Sequence, residues 1–358
     1  MTAPSPSRNV PVPASLLMVA ELVEARLTDL LDDERERWGA LDPDLVEPLQ
    51  ALGRLVLAGG KRLRPAFCHW GFVGAGGDPG DPRIVEAGAA FEMLQAFALV
   101  HDDVMDGSAT RRGARTAHLE FADAHVDAAW RGESRRFGEG VAILIGDLAH
   151  VYADHFMAIA SPDAIAVWNE LRIELNIGQY LDVLGTARGD ADLVRARRIA
   201  RYKSGKYTIE RPLHVGAALA GGDLSLRAQL SGYGDPLGEA FQLRDDLLGA
   251  FGDERTTGKP VGDDLREGKP TPLLAIAIER AEGDQARVLA TVGAPDLSPA
   301  AVAAVQAVLV DTGAMAEIEL TIDRLTNEAI AAIEVAPIID PARLALVELA
   351  HYVAWRDR

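Results

Sequence analysis

Two long apolar stretches of helical periodicity each end in aspartates, and this pairing constrains the fold more than any other feature of the chain. The first reads FEMLQAFALVHDDVMDGSATRRG over residues 91–113, and the second contains FQLRDD at residues 241–246. In a helix, Asp102 and Asp106 are four residues apart and share a face, with Asp103 about 100° from Asp102 around the axis. Each helix therefore brings several carboxylates together near its end.

Carboxylates this close together need a cation between them. They repel one another and raise one another's pKa when none is present. Asp102 and Asp106 also lie towards the C-terminal end of their helix, where the macrodipole disfavours negative charge. Magnesium prefers oxygen ligands and commonly takes one or two carboxylates together with substrate phosphates. A magnesium site is therefore one reading of the first cluster, and a solvated helix end is the other.

Composition limits the class of protein. The chain has 358 residues and is 48% hydrophobic, enough for a large core. Its 36 basic and 54 acidic residues give a net charge of -18, which disfavours nucleic acid and anionic membrane surfaces as partners. No uninterrupted apolar run reaches the roughly 18 to 20 residues of a membrane span, so we expect no transmembrane segment. The single cysteine, Cys68, rules out an intramolecular disulfide and is compatible with the cytoplasm.

Helical periodicity continues along the chain without a linker or a convincing strand, and the basic segment RGESRR at residues 131–136 is expected to be a solvated loop between two helices. Residues 1–14 are rich in Pro and Ser and are predicted to be a disordered lead. Glu21, Glu24 and Arg26 interrupt the apolar segment that follows, which favours an amphipathic helix over a signal peptide. We therefore predict an all-α fold, with one domain over residues 15–358.

Basic residues accompany the acidic ones. GGKRLRP at residues 59–65 places Lys61 and Arg64 close behind two glycines, which let backbone amides approach an anion. The basic residues in predicted loops or helix ends are Lys61, Arg64, Arg111, Arg112, Lys203, Lys206, Lys259 and Lys269. Magnesium ions and basic side chains together suit a diphosphate ligand.

Five motifs carry a resemblance to a known family. GGKRLRP, HDDVMD with RRG, the KYT connector, FQLRDD and GKPVGDDLREGKPT follow one another between residues 59 and 271. In this order and at these separations the chain resembles the trans-polyprenyl diphosphate synthases. The resemblance implies an isoprenoid synthase-type helical bundle with a central cavity, usually a homodimer. It also implies a magnesium-dependent prenyltransferase that condenses isopentenyl diphosphate with dimethylallyl, geranyl or farnesyl diphosphate.

The resemblance also implies roles for individual residues. The metal ligands are Asp102, Asp103, Asp106, Asp245 and Asp246, and the catalytic residues are Asp102, Asp103, Lys206 and Asp245. Isopentenyl diphosphate is held by Lys61, Arg64, Gln95 and Arg112. The allylic diphosphate is surrounded by Arg111, Lys206, Thr208, Gln242, Lys259 and Lys269.

The second aspartate motif departs from the family pattern. Gly249 stands where a third aspartate is usual, and the next acid is Asp253. Because the usual ligands are the first acids of this motif, we expect activity to survive. Asp245→Ala is predicted to abolish turnover, and Asp253→Ala to have a mild effect.

Product length is predicted from the helix that carries the first motif. Phe97 lies five residues, about 7.5 Å, before Asp102 along this helix, and Ala98 beside it is small. This pattern resembles synthases that stop at geranylgeranyl diphosphate, with Met93 and Leu94 completing the floor. Farnesyl diphosphate and a longer polyprenyl diphosphate are the alternatives. Phe97 could equally be an ordinary core residue.

Two other functions compete with this interpretation. A terpene cyclase shares the metal chemistry but needs no second diphosphate site, whereas GGKRLR, Gln95 and Arg112 indicate one. A non-catalytic subunit of a heteromeric synthase typically loses its aspartates, whereas HDDVMD is whole here.

Overall fold

The computed structural model describes residues 10–188, 193–252, 261–294 and 296–356. Long helices form almost all of this part of the chain, so the predicted all-α fold is confirmed. The helices of the first half are α1 (Ala14–Gly39), α2 (Val46–Leu57), α3 (Leu63–Gly74), α4 (Pro82–Asp106), α5 (Ala117–Asp127), α6 (Ser134–Met157) and α7 (Pro162–Arg188). A short 3₁₀ turn, Pro43–Leu45, precedes α2.

The second half continues in the same way. Its helices are α8 (Leu193–Ala200), α9 (Arg211–Leu219), α10 (Leu224–Phe251), α11 (Asp263–Glu267), α12 (Pro272–Arg280), α13 (Asp284–Leu289), α14 (Pro299–Asp311), α15 (Ala314–Val335) and α16 (Asp340–Trp355). A π-helical segment, Arg201–Glu210, joins α8 to α9 where the sequence predicted a short connector. The predicted N-terminal lead falls mostly on residues 1–9, which lie outside the described residues.

Both ends of α4 follow from the local sequence. The Asp81 side chain accepts a hydrogen bond from the Arg83 amide, and Pro82 occupies the first turn, where its missing N–H costs nothing. Gly107 ends the helix in the left-handed conformation with φ 66°, a position that glycine adopts without strain. The chain therefore turns away directly after Asp106, which leaves the aspartates in the last turns of α4.

Two local expectations were wrong. A small antiparallel hairpin pairs β1 (Thr110–Arg111) with β2 (Ala114–Arg115), although two-residue strands leave no periodicity to detect. The segment RGESRR was expected to be a loop, but α6 begins at Ser134 and takes Arg135 and Arg136 into its first turn.

The core lies between closely packed helices. A Cβ atom on Gly71 of α3 would lie 2.4 Å from the Leu213 carbonyl oxygen of α9, and one on Gly216 would lie 1.9 Å from the Cys68 carbonyl oxygen. The backbones of α3 and α9 can meet only because glycine stands on both sides of the contact. On α4, Phe91 packs edge-on against Trp168 of α7 at 5.2 Å between ring centroids.

By length and composition alone, α4 is apolar enough to cross a membrane, which the sequence analysis did not expect. The bent pair α14 and α15 passes the same test when it is taken as one span. In α4, however, 61% of the apolar window is buried inside the protein. Core helices of soluble proteins share this property, so the test is weak evidence for a membrane span.

Candidate active site

The ends of α4 and α10 meet at one cavity of about 360 Å³. Asp102 on α4 and Asp245 and Asp246 on α10 all line it. The other predicted site residues in its wall are Arg64, Gln95, Ala98, Arg111, Gln242 and Lys269. Leu99, Leu175 and Phe241 supply apolar surface beside this polar region. The expected convergence of the two aspartate motifs is therefore present in the structure.

The β1–β2 hairpin brings its arginine back to the first aspartate cluster. Its two-residue turn, Arg112–Gly113, has φ values of 52° and 74°, the left-handed pair that tight hairpins require. Arg111 consequently folds back, and its Nε donates to Asp103 Oδ1 at 2.9 Å. Burial alone would lower the pKa of Arg111, but Asp103 and Asp102 outweigh it and raise that pKa. The hairpin thus supplies the positive charge that the end of α4 lacks.

Helix α7 contributes a second partner for the same cluster. Gln179 Nε2 donates to Asp102 Oδ1 at 2.8 Å, and the buried Asp182 lines the cavity next to it. Sequence reasoning assigned no role to either residue. Leu175, Gln179 and Asp182 follow one another at intervals of four and three residues, a spacing that places them on one helix face.

Asp246 is the most deeply buried acid of the second cluster, with 5% of its surface exposed. Its Oδ1 accepts a hydrogen bond from Gln242 at 2.7 Å, whereas its Oδ2 has no hydrogen-bond partner among the described residues. Burial, followed by the nearby charges of Asp264 and Asp245, raises the pKa of this carboxyl well above its usual range. A buried carboxylate oxygen without a hydrogen-bond partner, such as Asp246 Oδ2, favours a cation or a proton donor beside it.

The place of the missing third aspartate is taken by an acid from another segment. A Cβ atom on Gly249 would lie only 1.8 Å from Oδ2 of Asp264, on α11. Asp264 lines the cavity with Asp245 and Asp246, so its carboxylate reaches the second cluster from outside α10. Asp253, the acid that the sequence analysis considered, lies outside the described residues, as do Lys259 and the side chain of Lys203.

Lys269 lies between the acids of α4 and the acids of α11. Its Nζ lies 3.4 Å from Asp264 Oδ1 and 4.0 Å from Asp106 Oδ2, and it also pairs with Glu267. Burial would lower the pKa of Lys269, but Asp264 and Glu267 raise it well above its ordinary value. The lysine is therefore a fixed positive charge between α4 and α11.

Arg64 of the GGKRLR motif also lines the cavity, whereas Lys61 and Arg112 do not. Arg64 Nη2 donates to Thr208 Oγ1 at 2.9 Å, and its guanidinium lies over the Tyr207 ring at 4.2 Å. Thr208 is fully buried, so it holds Arg64 in place and does not line the cavity. Arg64 Nε and Gln95 Oε1 are buried and have no hydrogen-bond partner among the described residues. These two atoms mark a polar site that remains unsatisfied within the protein.

Arg112 adjoins the GGKR loop that carries Lys61. Its Nη1 donates to the carbonyl oxygens of Leu55, at 2.8 Å, and Gly59, at 2.6 Å. A Cβ atom on Gly60 would lie 3.1 Å from Arg112 Nη2, so glycine is what lets the loop approach the guanidinium. The hairpin therefore places Arg111 at the acidic side of the site and Arg112 at the basic loop.

Lys206 is not brought to the cavity. Its Nζ lies 3.0 Å from Glu210 and 3.4 Å from Glu174, within a buried cluster of ion pairs. Ser204 and Tyr207, from the same π-helical segment, line the cavity instead. In this structure Lys206 holds the π-helical segment against α7.

Phe97 lies on a different side of α4 from the cavity wall. Its ring packs against His101 at 4.7 Å and stacks on His150 of α6 at 4.8 Å. Ala98 and Leu99 line the cavity, whereas Phe97 does not. Phe97 is therefore part of the α4–α6 contact, and Ala98 is the chain-length candidate that borders the cavity directly.

The acidic wall fits magnesium. No three Asp, Glu, His or Cys side chains of the described residues converge closely enough to form a metal site by themselves. Magnesium does not require such a cage, since it keeps waters and takes substrate phosphates as ligands. Asp102, Asp245, Asp246 and Asp264 surround the cavity, and the partnerless Oδ2 of Asp246 is an oxygen that a cation would satisfy.

Comparisons with known proteins agree on one family. The family model described as polyprenyl synthetase matches residues 46–309. A short chain isoprenyl diphosphate synthase of Methanothermobacter thermautotrophicus is 34% identical over 74% of this chain and 77% of its own length. The octaprenyl diphosphate synthase of Escherichia coli is 32% identical over 87% of this chain and 91% of its own.

A solved structure shows the same similarity in three dimensions. The geranylgeranyl pyrophosphate synthase of Corynebacterium glutamicum, crystallised with isoprenyl diphosphate and magnesium, superposes with a TM-score of 0.90 at 38% identity. The match covers 96% of this chain and 99% of that one.

Proposed function

Because the chain belongs to the polyprenyl synthetase family and is a trans-prenyltransferase, we propose that it condenses isopentenyl diphosphate with allylic diphosphates, with geranylgeranyl diphosphate as its main product. The observation that carries this proposal is that two aspartate helix ends meet Arg64 and Gln95 at one cavity. The similar synthase of Corynebacterium glutamicum, which was crystallised with magnesium and isoprenyl diphosphate, supports the same ligands here.

The allylic diphosphate and its magnesium ions belong at the acidic wall. The proposed metal-binding residues are Asp102, Asp103, Asp106, Asp245 and Asp246, and we add Asp264 because it occupies the place of a third acid beside Gly249. Arg111, Gln242 and Lys269 supply donors at the same wall. Lys206, Thr208 and Lys259 stay in this set as predictions from the sequence, although Lys206 and Thr208 do not line the cavity in this structure.

Isopentenyl diphosphate belongs at the basic side. Arg64 and Gln95 line the cavity with buried atoms that have no partner among the described residues. Arg112 and Lys61 lie at the glycine loop beside them. A guanidinium binds phosphate oxygens through two parallel hydrogen bonds, which suits Arg64 and Arg112 to this role.

The arrangement supports ionisation followed by condensation. Magnesium, when bound, offsets the negative charge of the departing diphosphate. Arg111 and Lys269 stabilise the same charge as the allylic carbon–oxygen bond breaks. Apolar surface from Ala98, Leu175 and Phe241 keeps water from the resulting carbocation. The double bond of isopentenyl diphosphate then attacks, and the released diphosphate accepts the proton that is lost.

The proposal is tested by supplying purified protein with magnesium, isopentenyl diphosphate and one allylic diphosphate at a time. We expect chain elongation with dimethylallyl, geranyl and farnesyl diphosphate, and no elongation after chelation of the metal. A terpene cyclase would consume an allylic diphosphate without isopentenyl diphosphate and release a hydrocarbon. A non-catalytic subunit would turn over neither substrate.

Product length should respond to Ala98 more than to any neighbour on α4. Since Ala98 borders the cavity on the Asp102 side, Ala98→Phe is expected to fill the path of the growing tail and shift most product to farnesyl diphosphate. Phe97→Ala is expected to lengthen the products only if the tail passes between α4 and α6, where Phe97 stacks on His150. Chromatography of the dephosphorylated products measures both effects. An unchanged distribution for Ala98→Phe would remove Ala98 from the wall of the tail site.

We also propose that the enzyme is a cytoplasmic homodimer. On α6, the side chains of Ile143, Leu144 and Val151 are exposed by 44%, 66% and 62%. Ile143 and Leu144 are adjacent and Val151 follows two helical turns later, so the three form an apolar stripe along one side of the helix. A second copy of the chain would cover this stripe. Light scattering of the purified protein distinguishes a dimer from a monomer, and cell fractionation tests the location.

A further inference from the structure

The C-terminal end of α16 packs against the second aspartate motif. Arg356 follows α16 directly, and its side chain is fully buried, with 0% exposed. Its guanidinium lies over the Phe241 ring at 4.2 Å. Phe241 belongs to α10 and lines the cavity one helical turn before Asp245. A residue more than a hundred positions away in sequence therefore reaches the second aspartate motif.

The guanidinium of Arg356 makes a defined set of contacts. Nη2 donates to Asp245 Oδ1 in a short ion pair and to the Phe241 carbonyl oxygen at 3.3 Å, while Nη1 donates to the Val353 carbonyl oxygen. Asp245 itself is 39% exposed and lines the cavity. Thus the arginine is enclosed by protein, and the carboxylate that it holds faces the space where the ligand binds.

The difference in exposure between Arg356 and Asp245 indicates whether their ion pair persists when a ligand binds. A guanidinium that is fully buried cannot lose its carboxylate without leaving an uncompensated charge in the interior, which is strongly unfavourable. Arg356 should therefore keep Asp245 Oδ1 when a ligand enters. The carboxylate still has a second oxygen to offer, and its orientation is fixed by the bond that persists. In metal sites, such outer partners orient the ligand and tune its affinity.

We propose that Arg356 is a positioning residue for Asp245, which makes the C-terminal end of α16 part of the divalent-cation site. This inference rests on the proposed function only in taking Asp245 as a cation ligand. Arg356 pairs with Asp245 of the second motif in the same way that Arg111 pairs with Asp103 of the first motif. Each acidic helix end is paired with one arginine, supplied by the hairpin in one case and by the C-terminal segment in the other.

The test measures Mn²⁺ binding by electron paramagnetic resonance in the presence of inorganic diphosphate, which supplies the phosphate oxygens that the cation also needs. Arg356→Gln is expected to weaken Mn²⁺ binding about 10- to 100-fold, the range typical of lost outer partners of metal ligands. Arg356→Lys should recover part of this loss, because an ammonium group supplies the charge without the planar fork. If Arg356→Gln does not fold, the Mn²⁺ affinity of Arg356→Lys is compared directly with that of the wild type.

Arg343→Gln is the matched control. Arg343 also lies on α16 and also donates to main-chain carbonyl oxygens, those of Ile333, Glu334, Ala336 and Ile338, none of which belongs to a residue of the cavity wall. This variant should lower thermal stability and leave Mn²⁺ affinity unchanged. A purely structural role for Arg356 would instead make the two variants behave alike.

A double-mutant cycle tests the route of the effect. If Arg356 acts through Asp245, Arg356→Gln should cause no further loss of Mn²⁺ affinity in an Asp245→Asn background. Unchanged or tighter Mn²⁺ binding in both Arg356 variants would overturn the inference, since tighter binding would show that Arg356 competes with the cation. The proposed function is judged separately, by elongation with the wild-type protein. If the wild-type protein does not elongate allylic diphosphates, the proposed function is refuted, but the effect of Arg356 on Mn²⁺ binding still stands.

Discussion

Asp245→Ala is expected to reduce turnover by about 10³-fold, the scale seen when one group that stabilises developing charge is removed. Asp245 lines the acidic wall and is the acid of the second motif that the structure leaves most open to the cavity. Its loss removes a proposed metal ligand and leaves the buried Arg356 without its carboxylate. Rates are measured with saturating substrates over a magnesium titration, so that weak metal binding is separated from lost catalysis.

Two further variants separate the effect of the lost charge from other effects of the Asp245→Ala substitution. Asp245→Asn keeps the size of the side chain and an oxygen for Arg356, so a similar loss of turnover would assign the effect to the missing charge. Asp127→Ala removes an exposed aspartate from the last turn of α5, outside the cavity, and should leave turnover unchanged. Near-wild-type rates for Asp245→Ala at saturating magnesium would show that the second acidic site is wrongly assigned.

The helices and their acidic ends could be predicted because both depend on local sequence. Apolar spacing predicted α4 and α10, and the start of α4 is likewise local, since Asp81 caps it and Pro82 occupies its first turn. The spacing of Asp102 and Asp106 then placed their side chains on one face. That the two helix ends meet at one cavity followed from the resemblance to a family, since no local pattern fixes how distant helices pack.

The partners of these acids could not be predicted in the same way. Asp264 fills the space beside Gly249 from fifteen residues further along the chain, and Arg356 reaches Asp245 from the C-terminal end. Such contacts depend on tertiary packing, for which a single sequence gives no signal. The glycine at the position of an expected acid is nonetheless a local signal that a carboxylate from another segment completes the cluster.

The position of Lys206 depends on a local geometry that the sequence did not predict. KSGKYT was predicted to be a short connector, with Lys206 at the diphosphate; the segment is instead π-helical. A π-helix has a wider turn than an α-helix, which changes which residues share a face. Ser204 and Tyr207 consequently reach the cavity, while Lys206 pairs with Glu174 and Glu210.

Restoring the usual third aspartate should harm this enzyme. In Gly249→Asp the new side chain would enter the space held by Asp264, whose Oδ2 lies 1.8 Å from where its Cβ must stand. Overpacking of this kind costs roughly 1–3 kcal/mol, and two carboxylates in one place add repulsion. We therefore expect lower thermal stability, weaker Mn²⁺ binding and slower turnover. Each is measured against the wild type.

The same substitution should become beneficial once Asp264 is removed. Asp264→Ala alone is expected to weaken Mn²⁺ binding, because the second cluster loses its third acid. Adding Gly249→Asp to this variant returns a carboxylate to the site from α10 and should recover most of the affinity and turnover. Gly249→Asn in the same background fills the space without the charge and should not. If Asp264→Ala binds Mn²⁺ like the wild type, or if Asp and Asn at position 249 rescue it equally, Asp264 does not stand in for the missing acid.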